Sequence, residues 1–201
     1  MALSSRSPAR SVKRNQWKQE CSSPKRYAFL VVEPQNWTIR RARTADIRAI
    51  SALIEPLVES RVLLGKDLVV LYEAVQEFTV ATTPEGGIVG CGALHVFWEN
   101  LGEIRTLAVS PDYLGQGIGT AIVRSLEEQA RELGLTTLFC LTFEVDFFQS
   151  NGFHEEHDPI VDSEVYVELV RSPDEGVAEF LDLARVKPNT LGNSRMVKEL
   201  D

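Results

Sequence analysis

Histidine, cysteine and tryptophan each occur only three times in this 201-residue chain, and methionine twice. Cys21, Cys91 and Cys140 are odd in number and form no Cys-x-x-Cys pair, which argues against a disulfide framework and a zinc site. Cys91 and Cys140 lie in apolar runs and read as small buried side chains. No three ligands are spaced for a metal, so none is expected. No run reaches the roughly eighteen apolar residues of a bilayer-spanning helix, so no membrane partner is expected and a reducing cytoplasm is the default location. Positive charge is scarce in the body of the chain. Residues 1–26 carry seven Arg/Lys against Glu20, a net of +6, which leaves −14 for the remainder of a chain whose total is −8. An acidic body argues against a nucleic-acid partner, because phosphate neutralisation needs clustered Lys and Arg.

The length fits one domain with tails. Residues 1–37, rich in Ser, Arg, Lys, Gln and Pro, read as a basic disordered extension in preference to a transit peptide. Residues 38–201 read as the domain. Tyr27–Val32 is apolar enough for a short strand. Thr38–Arg41 reads as the first strand, and Thr44 caps a helix in which Ile47, Ile50, Leu53, Ile54 and Leu57 recur at helical spacing. Pro56 should end or kink that helix. A second helical segment is expected over Leu63–Gln76. Strands are expected at Phe78–Thr82, Ile88–Phe97 and Glu103–Val109, with gaps short enough for an antiparallel meander. A long amphipathic helix from about Gly117 to Leu133, a strand at Thr136–Leu141 and a short helix at Glu144–Ser150 follow. Val177–Leu183 reads as helical and Ser194–Leu200 as a returning strand.

The stretch that organises the chain is Val109-Ser110-Pro111-Asp112-Tyr113-Leu114-Gly115-Gln116-Gly117-Ile118-Gly119-Thr120. Alternating glycines between a strand and a helix let the backbone tighten and let a ligand approach the main chain. The helix start adds unpaired N–H groups and a positive dipole end, which suit phosphate. A Walker loop needs Gly-Lys-Ser/Thr, which is absent, and Thr120 stands where a dinucleotide fingerprint needs its third glycine.

Gly117-Ile118-Gly119, approached by Val109-Ser110-Pro111, resembles the acetyl-CoA loop of the GNAT N-acetyltransferase superfamily. Leu114 stands where that signature carries Arg or Gln, but the amides of Gly115, Gln116, Gly117, Ile118, Gly119 and Thr120 do not depend on it. The order of elements over 38–153 is that of the same fold. The resemblance therefore implies an α/β (α+β) chain with a mixed central sheet of about six to seven strands flanked by helices. It implies acetyl-CoA as cosubstrate, with Leu107, Ala108 and Val109 binding the pantetheine arm through main-chain groups and the amide near Leu107 polarising the thioester.

Acetyl transfer to an amine needs a proton acceptor and donors for the developing oxyanion. Glu103 begins the strand leading to the cofactor loop and is the candidate base, directly or through water; a solvated strand-end carboxylate is the bland alternative. His95, on a neighbouring strand, is a relay candidate or a satisfied core histidine, whereas His154 and His157 read as surface. Many relatives carry a tyrosine acid where this chain has Phe148. Thr142, or departure of coenzyme A as the thiolate, would fill that role, and the acid is left unassigned.

Leu63-Leu64-Gly65-Lys66, Leu71-Tyr72-Glu73, Phe78-Thr79-Val80, Val89 to Leu94 and Gly102 to Val109 are similar to the acetyltransferase domain of N-acetylglutamate synthases, as is Asn193-Ser194-Arg195-Met196-Val197-Lys198. Gly176 to Leu183 and Lys187-Pro188-Asn189 resemble short, free-standing synthases of actinobacterial type. The resemblance implies an amino-acid N-acetyltransferase acting on L-glutamate at the start of arginine biosynthesis, without a metal, and leaves a homodimer open. Lys66, Arg105 and Arg195 are the candidate contacts to a dicarboxylate, which needs cationic or multi-donor partners. Acetylation of another small amine, glutamine being nearest, and a non-catalytic acetyl-CoA-binding sensor are the competing readings.

Overall fold

The computed structural model of the protein describes residues 36–181 and 192–201. The strand expected at 27–32, the expected extension apart from its last two residues, and the 187–189 segment lie outside them. Seven strands form one sheet in the order β1-β2-β3-β4-β5-β7-β6. They are β1 (Thr38–Arg41), β2 (Phe78–Thr82), β3 (Ile88–Val96), β4 (Leu101–Val109), β5 (Thr137–Thr142), β6 (His154–Glu155) and β7 (Ser194–Glu199). The first four pair antiparallel as a meander, β4 and β5 pair parallel, and β7 lies antiparallel between β5 and β6. Helices α1 (Ile47–Glu59), α2 (Leu68–Glu73), α3 (Ile118–Leu133), α4 (Val145–Ser150), α5 (Ser163–Leu169) and α6 (Glu175–Phe180) complete the described elements.

Several boundaries differ from expectation for identifiable reasons. Pro56 does not end α1, because proline removes one backbone donor and only the last turn follows it. That turn is closed by Ser60, whose N–H and hydroxyl both donate to the Pro56 carbonyl (3.1 and 2.8 Å). The helix expected from Leu63 begins instead at Leu68. Arg61 takes a positive φ of 63°, and the Val62 and Leu63 N–H groups both turn back onto the Leu57 carbonyl (2.8 and 3.2 Å). Lys66 therefore lies on an irregular connection between α1 and α2. Helix α5, absent from the sequence reading, is started by Asp162, whose carboxylate accepts the Glu164 and Val165 N–H groups.

Three apolar clusters hold the layers together. On one face, α3 presents Ile118, Ile122, Val123, Leu126 and Ala130 to Ile104, Leu138, Cys140 and Met196, with Trp37 and Phe148 in the same cluster. On the other face, Ile47, Ile50, Ile54 and Leu71 of α1 and α2 cover Phe78, Val80, Cys91, Ala93 and Ala108. Farther along that face Phe97, Leu101 and Phe139 meet Val177 and Phe180 of α6. Phe97 packs edge-on to Phe139 and Phe180 at centroid distances of 4.9 and 4.8 Å.

Two irregularities open the middle of the sheet. Between the pairs Cys91↔Ala108 and Ala93↔Arg105, β3 has only Gly92 where β4 has Thr106 and Leu107, a bulge that bends β4. Thr106 sits at φ 56°, a strained conformation for a β-branched residue. β4 and β5 are paired only through Leu101↔Thr137, Gly102↔Leu138 and Glu103↔Phe139. Beyond Glu103 the two strands part, and among the described residues the β5-facing edge of β4, Leu107 to Val109 included, meets no strand.

Candidate active site

The loop after β4 is built from backbone geometry. Ser110 N–H closes onto Val89 O (2.9 Å), and a short 3-10 turn at Pro111–Tyr113 reverses the chain. Gly115 and Gly117 then take φ values of 75° and 79°, and a Cβ at either would meet nothing within 4 Å. Glycine is needed there for its left-handed backbone, not for space. Gly119 is different: a Cβ would lie 3.1 Å from the Phe147 ring, so this position lets α3 pack on α4. Gly117 precedes α3 without a side-chain cap, and the first turn closes with Ala121 N–H to Gly117 O (3.0 Å). No acceptor among the described residues takes the main-chain N–H of residues 115–120. These donors sit at the positive end of a 16-residue helix, an arrangement suited to a diphosphate. The Gln116 side chain folds back onto Asp112 O (3.4 Å), and Leu114 is exposed.

On the opposite face, polar residues fill the seam between two apolar clusters. Along β3 the side chains on this face run Ala93, His95, Phe97, and only the middle one belongs to neither cluster. His95 stands directly across from Glu103 on β4, with Arg105 two residues on. Glu77, in the turn before β2, joins them: its Oε1 accepts from His95 Nδ1 (2.9 Å) and its Oε2 from Arg105 Nη2 (3.0 Å). A carboxylate only accepts, so the proton of this contact is on Nδ1. Arg105 Nη1 donates to both oxygens of Asp174 (3.2 Å each) and lies 3.8 Å from Glu103 Oε2. Lys66 Nζ is 3.8 Å from Asp174 Oδ2.

Glu103 is the outlier of this network. It is 5% exposed, and its Oε2 is buried with no hydrogen-bond partner. Burial pushes its carboxyl above the ordinary value; Arg105, His95 and Lys66 pull it down without compensating, and Asp174 pushes it further up. Glu77 and Asp174 go the other way. Burial raises each, but the His95 hydrogen bond and the Arg105 charge outweigh it for Glu77, and the Arg105 and Lys66 charges for Asp174. The guanidinium of Arg105 is penalised by burial yet held above its usual range by Glu103, Glu77 and Asp174. A carboxyl of raised proton affinity beside carboxylates of lowered affinity is the pattern of a group poised to take a proton.

A small cleft of about 60 Å³ opens over this network, lined by Leu63, Lys66, Glu103, Arg105, Thr106 and Gly176 among others. The structure thus brings Glu103, His95, Arg105 and Lys66 into one cluster, while the glycine loop lies on the α3 side of the parted strands. Arg195 is not among the residues that line this cleft. It lies 4.7 Å over the Phe180 ring and donates to the carbonyls of Asp158 and Phe180 (3.3 Å each), tying β7 to the segment before it. Phe148 is buried against Phe147 and Phe153, and Thr142 Oγ1 accepts from Glu144 N–H (2.9 Å). Cys91 and Cys140 are free and buried; burial pushes the Cys91 thiol up to about 12. Among the described residues no cluster of three metal-ligating side chains exists, and no helix is long and apolar enough to cross a membrane.

Glu77 and Asp174 were missed in the sequence. Asp174 carried a readable signal, since Ser172-Pro173-Asp174-Glu175-Gly176 is a helix start with an acidic cap. Glu77 carried none, because its partners lie 18 and 28 residues away.

Residues 52–158 match the Acetyltransferase (GNAT) family. An amino-acid acetyltransferase of Mycobacterium tuberculosis is 56% identical over 161 residues, covering 79% of this chain and 92% of its own length. A crystal structure from M. tuberculosis in complex with CoA superposes with a TM-score of 0.78 at 55% identity, over 82% of this chain and 99% of that one. The N-acetylglutamate synthase of Neisseria gonorrhoeae, complexed with coenzyme A and N-acetyl-glutamate, superposes with a TM-score of 0.66 at 28% identity, over 82% of this chain. This chain spans only 35% of that larger protein.

Proposed function

Because the chain belongs to the acetyltransferase (GNAT) family, we propose that it transfers the acetyl group of acetyl-CoA to the α-amine of L-glutamate by direct attack in a ternary complex. This is the N-acetylglutamate synthase reaction, the opening step of arginine biosynthesis. The observation that carries the reading is the buried, unpartnered Oε2 of Glu103, set beside Arg105 where β4 and β5 part.

Glu103 accepts the ammonium proton of the bound amino acid, directly or through a water, and the burial that raises its proton affinity suits it to that role. The amine nitrogen then bonds the acetyl carbon and gives up its second proton to the leaving sulfur or to water, while the C–S bond breaks with its electron pair on sulfur. The uncapped amides of 115–120 hold the diphosphate, and the free edge of β4 from Leu107 to Val109 aligns the pantetheine arm and polarises the thioester carbonyl. Lys66 and Arg105 supply the cations for the acceptor's carboxylates, and His95, oriented by Glu77, stands across from Glu103 to pass the proton on.

One observation favours a second acceptor. Three carboxyl groups, Glu77, Glu103 and Asp174, face the side chains of Arg105 and Lys66. An amino acid with a single carboxylate, L-glutamine being nearest, meets less repulsion there than L-glutamate. The test is thiol release from acetyl-CoA with a panel of amino acids. Stimulation by L-glutamate is expected, a preference for L-glutamine selects the second reading, and no stimulation by any amino acid overturns both in favour of a sensor.

A further inference from the structure

The first turn of α6 lies directly on the candidate base. A Cβ added to Gly176 would come within 3.6 Å of both Glu103 Oε2 and Arg105 Nη1, and within 3.0 Å of Asp174 Oδ1. This close approach of main chain to carboxylate helps keep Glu103 out of water. The helix has only six residues and is held from two sides. Its apolar side packs Val177 and Phe180 against Phe97 and Phe139. Its polar side is held by Asp174.

Asp174 makes more contacts than a helix cap requires. Its Oδ1 accepts the N–H groups of Gly176 and Val177 (2.8 and 3.1 Å), which is the capping role. Both oxygens of the same carboxylate also take Arg105 Nη1 from the middle of β4 (3.2 Å each). Lys66, on the connection between α1 and α2, approaches at 3.8 Å. One side chain thus joins three walls of the cleft: the start of α6, the strand carrying Glu103, and the connection between α1 and α2. Arg105 and Lys66 are also the cations that line the cleft among the described residues.

We propose that Asp174 is a positioning residue of the acceptor site, whose ion pairs with Arg105 and Lys66 seat the first turn of α6 over Glu103 and hold both cations facing the bound amino acid. The kinetic part rests on the function proposed above; the seating of α6 does not. The capping role and the ion-pair role separate in one substitution. Asparagine caps a helix about as well as aspartate, so Asp174→Asn keeps the cap and removes the charge. Asp174→Ala removes both.

The experiment measures KM for the best amino-acid acceptor, KM for acetyl-CoA, the thermal midpoint, and amide hydrogen exchange over residues 175–180, for wild type and both variants. Asp174→Asn is expected to raise the acceptor KM by about tenfold or more and to speed α6 exchange by a similar factor, while the acetyl-CoA KM and the thermal midpoint stay near wild type. Asp174→Ala should add a lowered thermal midpoint to the same defects. An asparagine variant within twofold of wild type in both acceptor KM and exchange leaves only a cap and overturns the proposal, as do equal rises in the two KM values. If wild type releases no thiol with any amino acid, the function reading fails by itself, and unchanged α6 exchange in Asp174→Asn would still overturn the seating.

Discussion

Replacing Glu103 by glutamine isolates the proton-accepting step from everything else the residue does. The amide is nearly isosteric with the carboxylate and fits the same buried space but takes up no proton. Loss of a general base lowers rates by about 10²–10⁴-fold, or about 3–5 kcal/mol of barrier, and kcat is expected to fall within that range. Acetyl-CoA binding, measured by calorimetry, should be unchanged, because the glycine loop lies on the other face of the sheet. The charge balance tolerates the change: Arg105 keeps Glu77 and Asp174 at 3.0 and 3.2 Å, so no buried cation is left alone. Stability should move in the opposite direction to activity. Burial raises the folded-state pKa of Glu103 above its unfolded value, so ionising it drains stability as pH climbs from the ordinary glutamate range through the raised value. Glutamine carries no such drain. The variant should therefore melt higher than wild type at neutral and alkaline pH, with the difference closing below the ordinary glutamate value. The acid limb of the wild-type rate, set above the usual carboxylate range, should vanish with the carboxyl. A variant that keeps kcat within about tenfold and retains the acid limb would move the base elsewhere and refute the argument.

Two further substitutions test the frame. Gly117→Ala forces a side chain into φ 79° with open space around it, so the penalty is conformational, about 1–2 kcal/mol, and should appear as a drop of about 2–8 °C in thermal midpoint together with weaker acetyl-CoA binding. Unchanged binding despite the lower midpoint would show that the loop amides are not the cradle. Lys198→Met leaves Glu127, 7% exposed, with only Arg131 at 4.0 Å in place of the Lys198 contact at 2.6 Å. Urea unfolding should show a loss of about 3 kcal/mol, largely recovered by adding Glu127→Gln.

The sheet, α3 and the glycine loop were legible in the sequence because each rests on local rules. Strands such as Phe78–Thr82 follow from β-branched and apolar runs, and the turn from Gly115 to Gly119 follows from backbone conformations that few residues adopt. The acidic side of the cleft was not legible for an equally physical reason. Glu77 and Asp174 look like solvated charges until the fold sets them 28 and 69 residues from Arg105 in sequence, yet in hydrogen-bond contact with it. Arg195 shows the converse. A cation on the last strand reads as a substrate contact, but Phe180 lies beneath it and two carbonyls accept its protons. Helix α5 escaped because seven residues are too few to establish a period, and only its acidic cap marks it.

The joint between β4 and β5 is three residue pairs wide, and past Glu103 and Phe139 the two strands run on as separate leaves. What bridges them is the apolar face of α3, which shares one cluster with Ile104 on one leaf and Cys140 on the other. If the proposed function holds, a guest lying along the gap meets strand edges whose hydrogen bonds are still unspent, and completes the ladder as a borrowed strand would. Its exit leaves the leaves sutured at one end only. On the proposed function, the docking slot is an unfinished seam in the sheet itself, closed by whatever occupies it.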